Sequence, residues 1–259
     1  MTDTDAWARR RSSFGAVAAT YAEHRPDYPV EAVRWCVAPV GRDIGSLRVL
    51  DLGAGTGKLS ALLTETGADV TAVEPDPAML SELQRGLPAA RALPGSAENI
   101  PLPDASVDAV LCGQSMHWFD LPRALPEIAR VLMPGGVLGA LWNSDDDRVP
   151  WVARLQEVAG EAAAPTASRN RAASFGAAQF GPLFGPTERA EFTNSQLLTA
   201  DTLVELMGTH SAVLVMAPED RARTLARLRT YLASQPETAT GQFELPMVTG
   251  TIRAARRWG

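Results

Sequence analysis

Arg48-Val49-Leu50-Asp51-Leu52-Gly53-Ala54-Gly55-Thr56-Gly57-Lys58 is the stretch on which the reading of this chain turns. Its first half is a short apolar run of the kind that forms a buried strand; its second half is a glycine turn, and a helical pattern follows over Lys58–Thr66. Open parallel sheets bind ligands at the carboxyl ends of their strands, so this turn is a candidate ligand site. Gly53 and Gly55 allow a sharp turn and a close approach to the backbone, and the helix behind them offers free N–H groups. Leu52 and Leu59 stand where a Walker loop needs glycine and Ser or Thr, which rules that loop out. Lys58 stands where a dinucleotide fingerprint wants its third glycine, which disfavours a nicotinamide or flavin. Glu74 closes a second apolar run, Asp69–Glu74, and a carboxylate at that point can accept two hydrogen bonds from ribose hydroxyls.

Outward from this stretch, strand and helix patterns alternate. A helix near Asp76–Arg85, a short strand at Arg91–Leu93, a strand at Val107–Cys112, a helix at Leu121–Leu132 and a strand at Val137–Trp142 follow in turn. That alternation predicts an α/β fold with a mainly parallel sheet covered on both faces. Late strands at Glu188–Leu198 and Gln242–Ala254 would bring the sheet to seven. Helices at Thr202–His210 and Glu219–Ser234 are expected between them, as a lid over the sheet's C-terminal edge. Two helices, Ser12–Tyr21 and Val30–Val40, precede the sheet. The expected division is an N-terminal helical cap over 1–40, a ligand-binding core over 41–143, and lid insertions with the closing strands over 144–259.

A net charge of −6 and a pI near 5.2 leave no basic face for nucleic acid, and Arg253, Arg256 and Arg257 read as a solvated strand end. Cys36 and Cys112 are too few and too far apart for a disulfide scaffold or a zinc site. Met1 to Arg11 carries no apolar signal core, and no apolar run reaches the ~20 residues that span a bilayer. The expectation is a cytoplasmic protein, monomeric or homodimeric, with no membrane and no nucleic-acid partner.

The motifs together resemble the class I, Rossmann-like S-adenosylmethionine-dependent methyltransferases. Val49–Gly57 is similar to that family's first motif, and Glu74 to its ribose-binding acid. Gly95-Ser96-Ala97-Glu98-Asn99-Ile100-Pro101-Leu102 resembles the segment beside adenine, and Arg130–Gly136 the turn before the fifth strand. The resemblance implies S-adenosyl-L-methionine as cofactor and S-adenosyl-L-homocysteine as product. It implies that Gly53, Ala54 and Gly55 pass close to the methionine part and that Asp51 orders the loop or holds the amino group through water. It implies Pro75, Met79, Ala97 and Glu98 at adenine, and Gln114 at the methionine moiety. Phe14–Pro29 and Gln114–Asp120 are similar to the trans-aconitate methyltransferase branch, in which Arg25 would pair with the cofactor carboxylate and Tyr21 would cap the site.

Methyl transfer from a sulfonium is an in-line displacement that positioning alone can accelerate, and it needs a base only for a nucleophile that is not already charged. His117 is the best base candidate; the alternative is that His117-Trp118-Phe119 is an aromatic wall. His24, Trp118, Trp142 and Asn143 are expected to meet a small-molecule acceptor, methylated at a carboxylate or hydroxyl oxygen. His210 reads as a surface residue. Asp145-Asp146-Asp147 reads as a solvated turn, with no metal. Trp151, Phe175, Phe180, Phe184, Met207 and Met216 are either helix cores or an apolar acceptor pocket. N-, S- or C-methylation, a protein or RNA substrate, and a non-catalytic cofactor binder are the competing readings; Gln114–His117 lacks the amine motif that a protein or RNA enzyme of this kind would carry.

Overall fold

The computed structural model describes residues 26–160, 180–208, 213, 216–239 and 241–257. Tyr21, His24, Arg25, Phe175, His210 and the expected helix over 12–21 lie outside the described residues. Seven strands form one sheet: β1 (Arg48–Leu52), β2 (Asp69–Glu74), β3 (Arg91–Pro94), β4 (Val107–Gly113), β5 (Leu132–Asp145), β6 (Glu188–Thr199) and β7 (Gln242–Ala255). Their spatial order is β3-β2-β1-β4-β5-β7-β6. The first five run parallel, and β7 lies antiparallel between β5 and β6. The seven-stranded α/β expectation is met.

Helices α1 (Val30–Val37), α2 (Lys58–Glu65), α3 (Pro77–Gly86) and α4 (Leu121–Val131) cover the parallel half. Side chains on successive residues of a strand point to opposite faces, and here both faces are dry. Leu50, Leu52, Val110 and Cys112 pack with α4 on one face. Val49, Ala109, Leu111 and Leu141 pack with α1 and α2 on the other. At the opposite end from the glycine turn, Asp108 takes two hydrogen bonds from the Arg48 guanidinium and one from its backbone N–H, and pairs with Arg42. Burial pushes its carboxyl up, but these donors outweigh it and hold the group below the ordinary carboxylate range.

Strand β5 begins at Leu132 rather than at Val137, because Leu132 already pairs with Val107. The pairing resumes at Ala109 and Val137, so the residues from Met133 to Gly136, with Gly135 at φ 76°, bulge out of the ladder. The strand also continues past Trp142 to Asp145, where it pairs with Met247. This corrects the expectation of a solvated triple-aspartate turn. Asp145 is buried, and burial pushes its carboxyl up to about 6 against a hydrogen bond from Gln156. Among the described residues, no helix is long and apolar enough to cross a membrane.

The late helices α5 (Pro150–Ala159), α6 (Ala200–Gly208) and α7 (Pro218–Ser234) do not behave as cavity walls. Trp151, Val152, Leu203, Met207, Leu228 and Leu232 interlock with Leu198, Phe243, Leu245 and Met247 in one apolar cluster, and Met216 packs against it. Phe180 and Phe184 enter the main core beside Trp142. Of the aromatic and methionine residues singled out there, Trp151, Phe180, Phe184 and Met207 are core. Helices α5–α7 cover the apolar side chains that β6 and β7 present at Leu198, Phe243, Leu245 and Met247.

Candidate functional site

A cavity of about 420 Å³ opens at the C-terminal ends of β1, β2, β4 and β5. Gly53 (φ 70°) turns the chain sharply after β1, in the left-handed region that glycine alone adopts without strain. A side chain there would also lie 2.7 Å from the Ser115 Cβ, so the turn is closed to larger residues. The backbone N–H groups of Gly53 and Ala54 donate to the Val73 carbonyl, 2.8 and 3.1 Å, tying the glycine turn to β2.

Two carboxylates stand at the ends of β1 and β2, and the cavity is lined by both. Glu74 is oriented by backbone donors: its Oε2 accepts from Gly55 N at 2.8 Å and its Oε1 from Asp76 N at 2.9 Å. Asp51 is fully buried, 0% exposed. Its Oδ2 accepts from Ser60 Oγ at 2.6 Å, while its Oδ1 takes no hydrogen bond from any described residue. Burial pushes the Asp51 carboxyl up to about 7; the Ser60 hydroxyl pulls down, and the Glu74 charge adds to the rise. A buried carboxylate with an unpaired oxygen on a cavity wall suits a cationic donor from outside the protein.

The remaining wall comes from several segments. Asp76 caps α3, with Oδ1 accepting from Ala78 N and Met79 N, and this sets Pro75 and Met79 along the cavity. Ala97 and Glu98 face it from the loop after β3, with Glu98 Oε1 accepting from Asp120 N at 2.9 Å. Past β4, Gln114 adopts φ 55°, an uncommon state for a residue with a side chain. Its backbone N–H donates to Leu141 O and its Nε2 to Asn143 O. Trp118 and Phe119 close the same side.

Asp51, Gly53, Ala54, Gly55, Glu74, Pro75, Met79, Ala97, Glu98, Gln114, Trp118 and Asn143 are thus brought to one cavity. Among the described residues expected at the site, two are not. Trp142 is 1% exposed and sits in the core, where its Nε1 donates to His117 Nδ1 at 3.4 Å. The His117 ring packs at a tilt of 43° against Trp118, ring centroids 4.8 Å apart, and is not on the cavity wall. A neutral imidazole that accepts at Nδ1 carries its proton on Nε2 and donates there. Asn143 reaches the cavity, but its side-chain amide already donates to the Pro26 and Asp27 carbonyls.

Tyr28 was missed by sequence reasoning. It is buried against Gly113, where a Cβ would lie 2.8 Å from the phenol oxygen, and it lines the cavity with Pro26 and Lys58. The prolines on both sides of Asp27-Tyr28 were the available signal, since they mark a fixed extended segment.

Residues 50–140 match the model of a methyltransferase domain. An uncharacterized methyltransferase of Mycobacterium tuberculosis is 42% identical over 243 residues, 93% of this chain and 95% of that protein. A malonyl-[acyl-carrier protein] O-methyltransferase of Pectobacterium atrosepticum is 42% identical over 93 residues, 36% of this chain and 37% of that protein. Among solved structures, one from Anaeromyxobacter dehalogenans, described as a proposed type II methyltransferase, superimposes with a TM-score of 0.61 at 27% identity, covering 90% of this chain and 97% of that one.

Proposed function

Because the chain belongs to the class I S-adenosylmethionine-dependent methyltransferases, we propose that its cavity takes S-adenosyl-L-methionine and that it methylates a small organic acceptor at oxygen, a carboxylate before a hydroxyl. The observation that carries the donor half is the pair Asp51 and Glu74, two oriented carboxylates at neighbouring strand ends on one wall. When bound, the cofactor supplies a methyl group made electrophilic by a positively charged sulfur. Glu74 would accept from the ribose hydroxyls, with its two backbone donors holding it in place. Asp51 Oδ1 would accept from the α-ammonium group, a donor that no described residue supplies. Met79 and Ala97 would pack against the adenine, and Gln114 would face the amino-acid end.

The acceptor half rests on His117. With Nδ1 taken by Trp142 and the ring off the wall, it is not placed to remove a proton. A carboxylate acceptor is already ionised at neutral pH and needs no base. Its oxygen would form the new bond to the methyl carbon while the carbon–sulfur bond breaks and its electron pair stays on sulfur. The residues then contribute position and exclusion of water, worth up to about 7–11 kcal/mol in favourable cases. The match to an O-methyltransferase of malonyl-[acyl-carrier protein] points the same way, though it spans only 93 residues.

Titration calorimetry with S-adenosylhomocysteine tests the donor half; no heat at high micromolar ligand refutes it. A panel of carboxylic acids, phenols, amines and thiols, read by S-adenosylhomocysteine release, tests the acceptor half. Products from carboxylic acids should be esters that mild alkali hydrolyses. Turnover with amines or thiols alone refutes oxygen as the target.

A further inference from the structure

Residues Pro26–Pro29 form a strap that leads into α1, and it is fastened by side chains of β5 and β6. Asn143 on β5 donates from Nδ2 to Pro26 O at 3.2 Å and Asp27 O at 3.1 Å. Asn194 on β6 donates to the same Asp27 carbonyl at 2.9 Å. The Asn143 amide is oriented from behind. Its Oδ1 accepts from Thr249 Oγ1 on β7 at 2.6 Å and from Asn194 Nδ2 at 3.3 Å. The Asn194 amide is fixed in turn, because its Oδ1 accepts from Ser195 N at 2.9 Å. Lys58 Nζ closes the other side of the strap on the Asp27 carboxylate at 2.9 Å.

Burying such a network is unfavourable unless it holds something. Thr249 is 0% exposed and Asn143 is 4% exposed, and polar side chains at such positions lose their water contacts. An apolar pair at Asn143 and Thr249, which face each other across β5 and β7, would pack there without that penalty. Among the described residues, the only backbone groups that the Asn143 and Asn194 side chains reach on a different segment are the carbonyls of Pro26 and Asp27. Fixing those carbonyls fixes Tyr28, the next residue, whose phenol fills the notch left by Gly113 and forms part of the cavity wall.

We propose that Asn194 and Thr249, neither of which lines the cavity, are positioning residues for it: they aim the Asn143 amide, which holds the strap and with it Tyr28. Ligand affinity at the parallel half of the sheet is then set in part by the antiparallel β6–β7 half. The ligand arm of this proposal rests on the cavity taking S-adenosylmethionine; the strap arm does not.

Asn194→Asp keeps the shape and removes the amide donor, Thr249→Val removes the hydroxyl, and Thr193→Asp puts the same charge on the exposed face of β6 as a control. Hydrogen–deuterium exchange on the ligand-free protein reads the strap. A peptide spanning residues 27–33 should exchange about 5- to 20-fold faster in Asn194→Asp, the range expected for one or two lost hydrogen bonds, with the rest of the sheet unchanged. Calorimetry with S-adenosylhomocysteine should show a loss of affinity of about the same factor, about 3- to 10-fold for Thr249→Val, and under twofold for Thr193→Asp. Unchanged exchange in that peptide overturns the proposal. Faster exchange with unchanged affinity overturns the positioning role, and so does an equal loss in the control. A wild-type protein that binds no S-adenosylhomocysteine refutes the cofactor assignment instead, and the exchange arm still decides whether the strap is held as proposed. If Asn194→Asp does not fold, Thr249→Val carries the test, with exchange in that peptide faster by about 3- to 10-fold and affinity lower by the same factor.

Discussion

Replacing Asp51 by asparagine should make the empty protein more stable at alkaline pH and a poorer binder. Burial pushes this carboxyl from its ordinary 3.8 up to about 7, against the Ser60 hydroxyl. Each tenfold change in proton affinity is worth about 1.4 kcal/mol, so ionising Asp51 in the folded state costs about 4 kcal/mol more than in the unfolded chain. The folded state holds the proton more tightly, so stability falls as pH rises from about 4 through 7 and is flat above. Between pH 5 and pH 7 the loss is about 2 kcal/mol, or roughly 4–8 °C in Tm for a chain of this size. The substituted amide does not titrate, so the Asp51→Asn protein should lack this loss, with a penalty of about 1–3 kcal/mol for an imperfectly paired amide. Thermal melts of both proteins from pH 5 to 8, without ligand, check this. The Tm difference should move in favour of the variant as pH rises and level off above 7. S-Adenosylhomocysteine titrations over the same range supply the other side. An ammonium partner prefers the ionised carboxylate, so wild-type affinity should fall by up to about tenfold per pH unit below 7, and the variant should bind weakly with no such slope. Parallel melting curves at all pH values refute the burial argument. An equal pH slope of affinity in the two proteins refutes the ammonium assignment.

Glu74→Ala should weaken S-adenosylhomocysteine about 10- to 100-fold by calorimetry, since hydrogen bonds to a charged group are worth about 1.5–3 kcal/mol in all. Gly113→Ala places a Cβ 2.8 Å from the Tyr28 hydroxyl and 3.3 Å from Leu59 Cδ2. Overpacking of this kind costs about 1–3 kcal/mol, and a Tm lowered by about 3–10 °C together with weaker ligand binding is expected. His117→Ala should lower kcat less than tenfold with the acceptor that the screen identifies; a general base would lose about 10²–10⁴. A loss of that size, recovered by added imidazole, would restore the base role.

What the amino-acid sequence determined by itself was everything that depends on local order. The bounds of β2 were legible to the residue and those of α2, α3 and α7 within one or two, because apolar runs, a glycine turn and Pro-led helix starts are local signals. Asp51, Glu74, Ala97-Glu98 and Gln114 were legible for a related reason: each follows or ends a parallel strand, and parallel strands bring those ends to one edge. Three things waited for the tertiary structure. The length of β5 was decided by its partners, since Leu132 and Asp145 are in the strand only because Val107 and Met247 stand opposite them. The fate of the late apolar residues was decided by packing, which placed Trp151, Met207, Phe180 and Phe184 in cores and none of them on the cavity. The roles of His117 and Asn143 were decided by their hydrogen-bond partners, Trp142 in one case and Pro26, Asp27, Asn194 and Thr249 in the other. Those partners lie 25 to 117 positions away along the chain. A side chain's residue type states which bonds it can make; only the folded chain states which of them are already made.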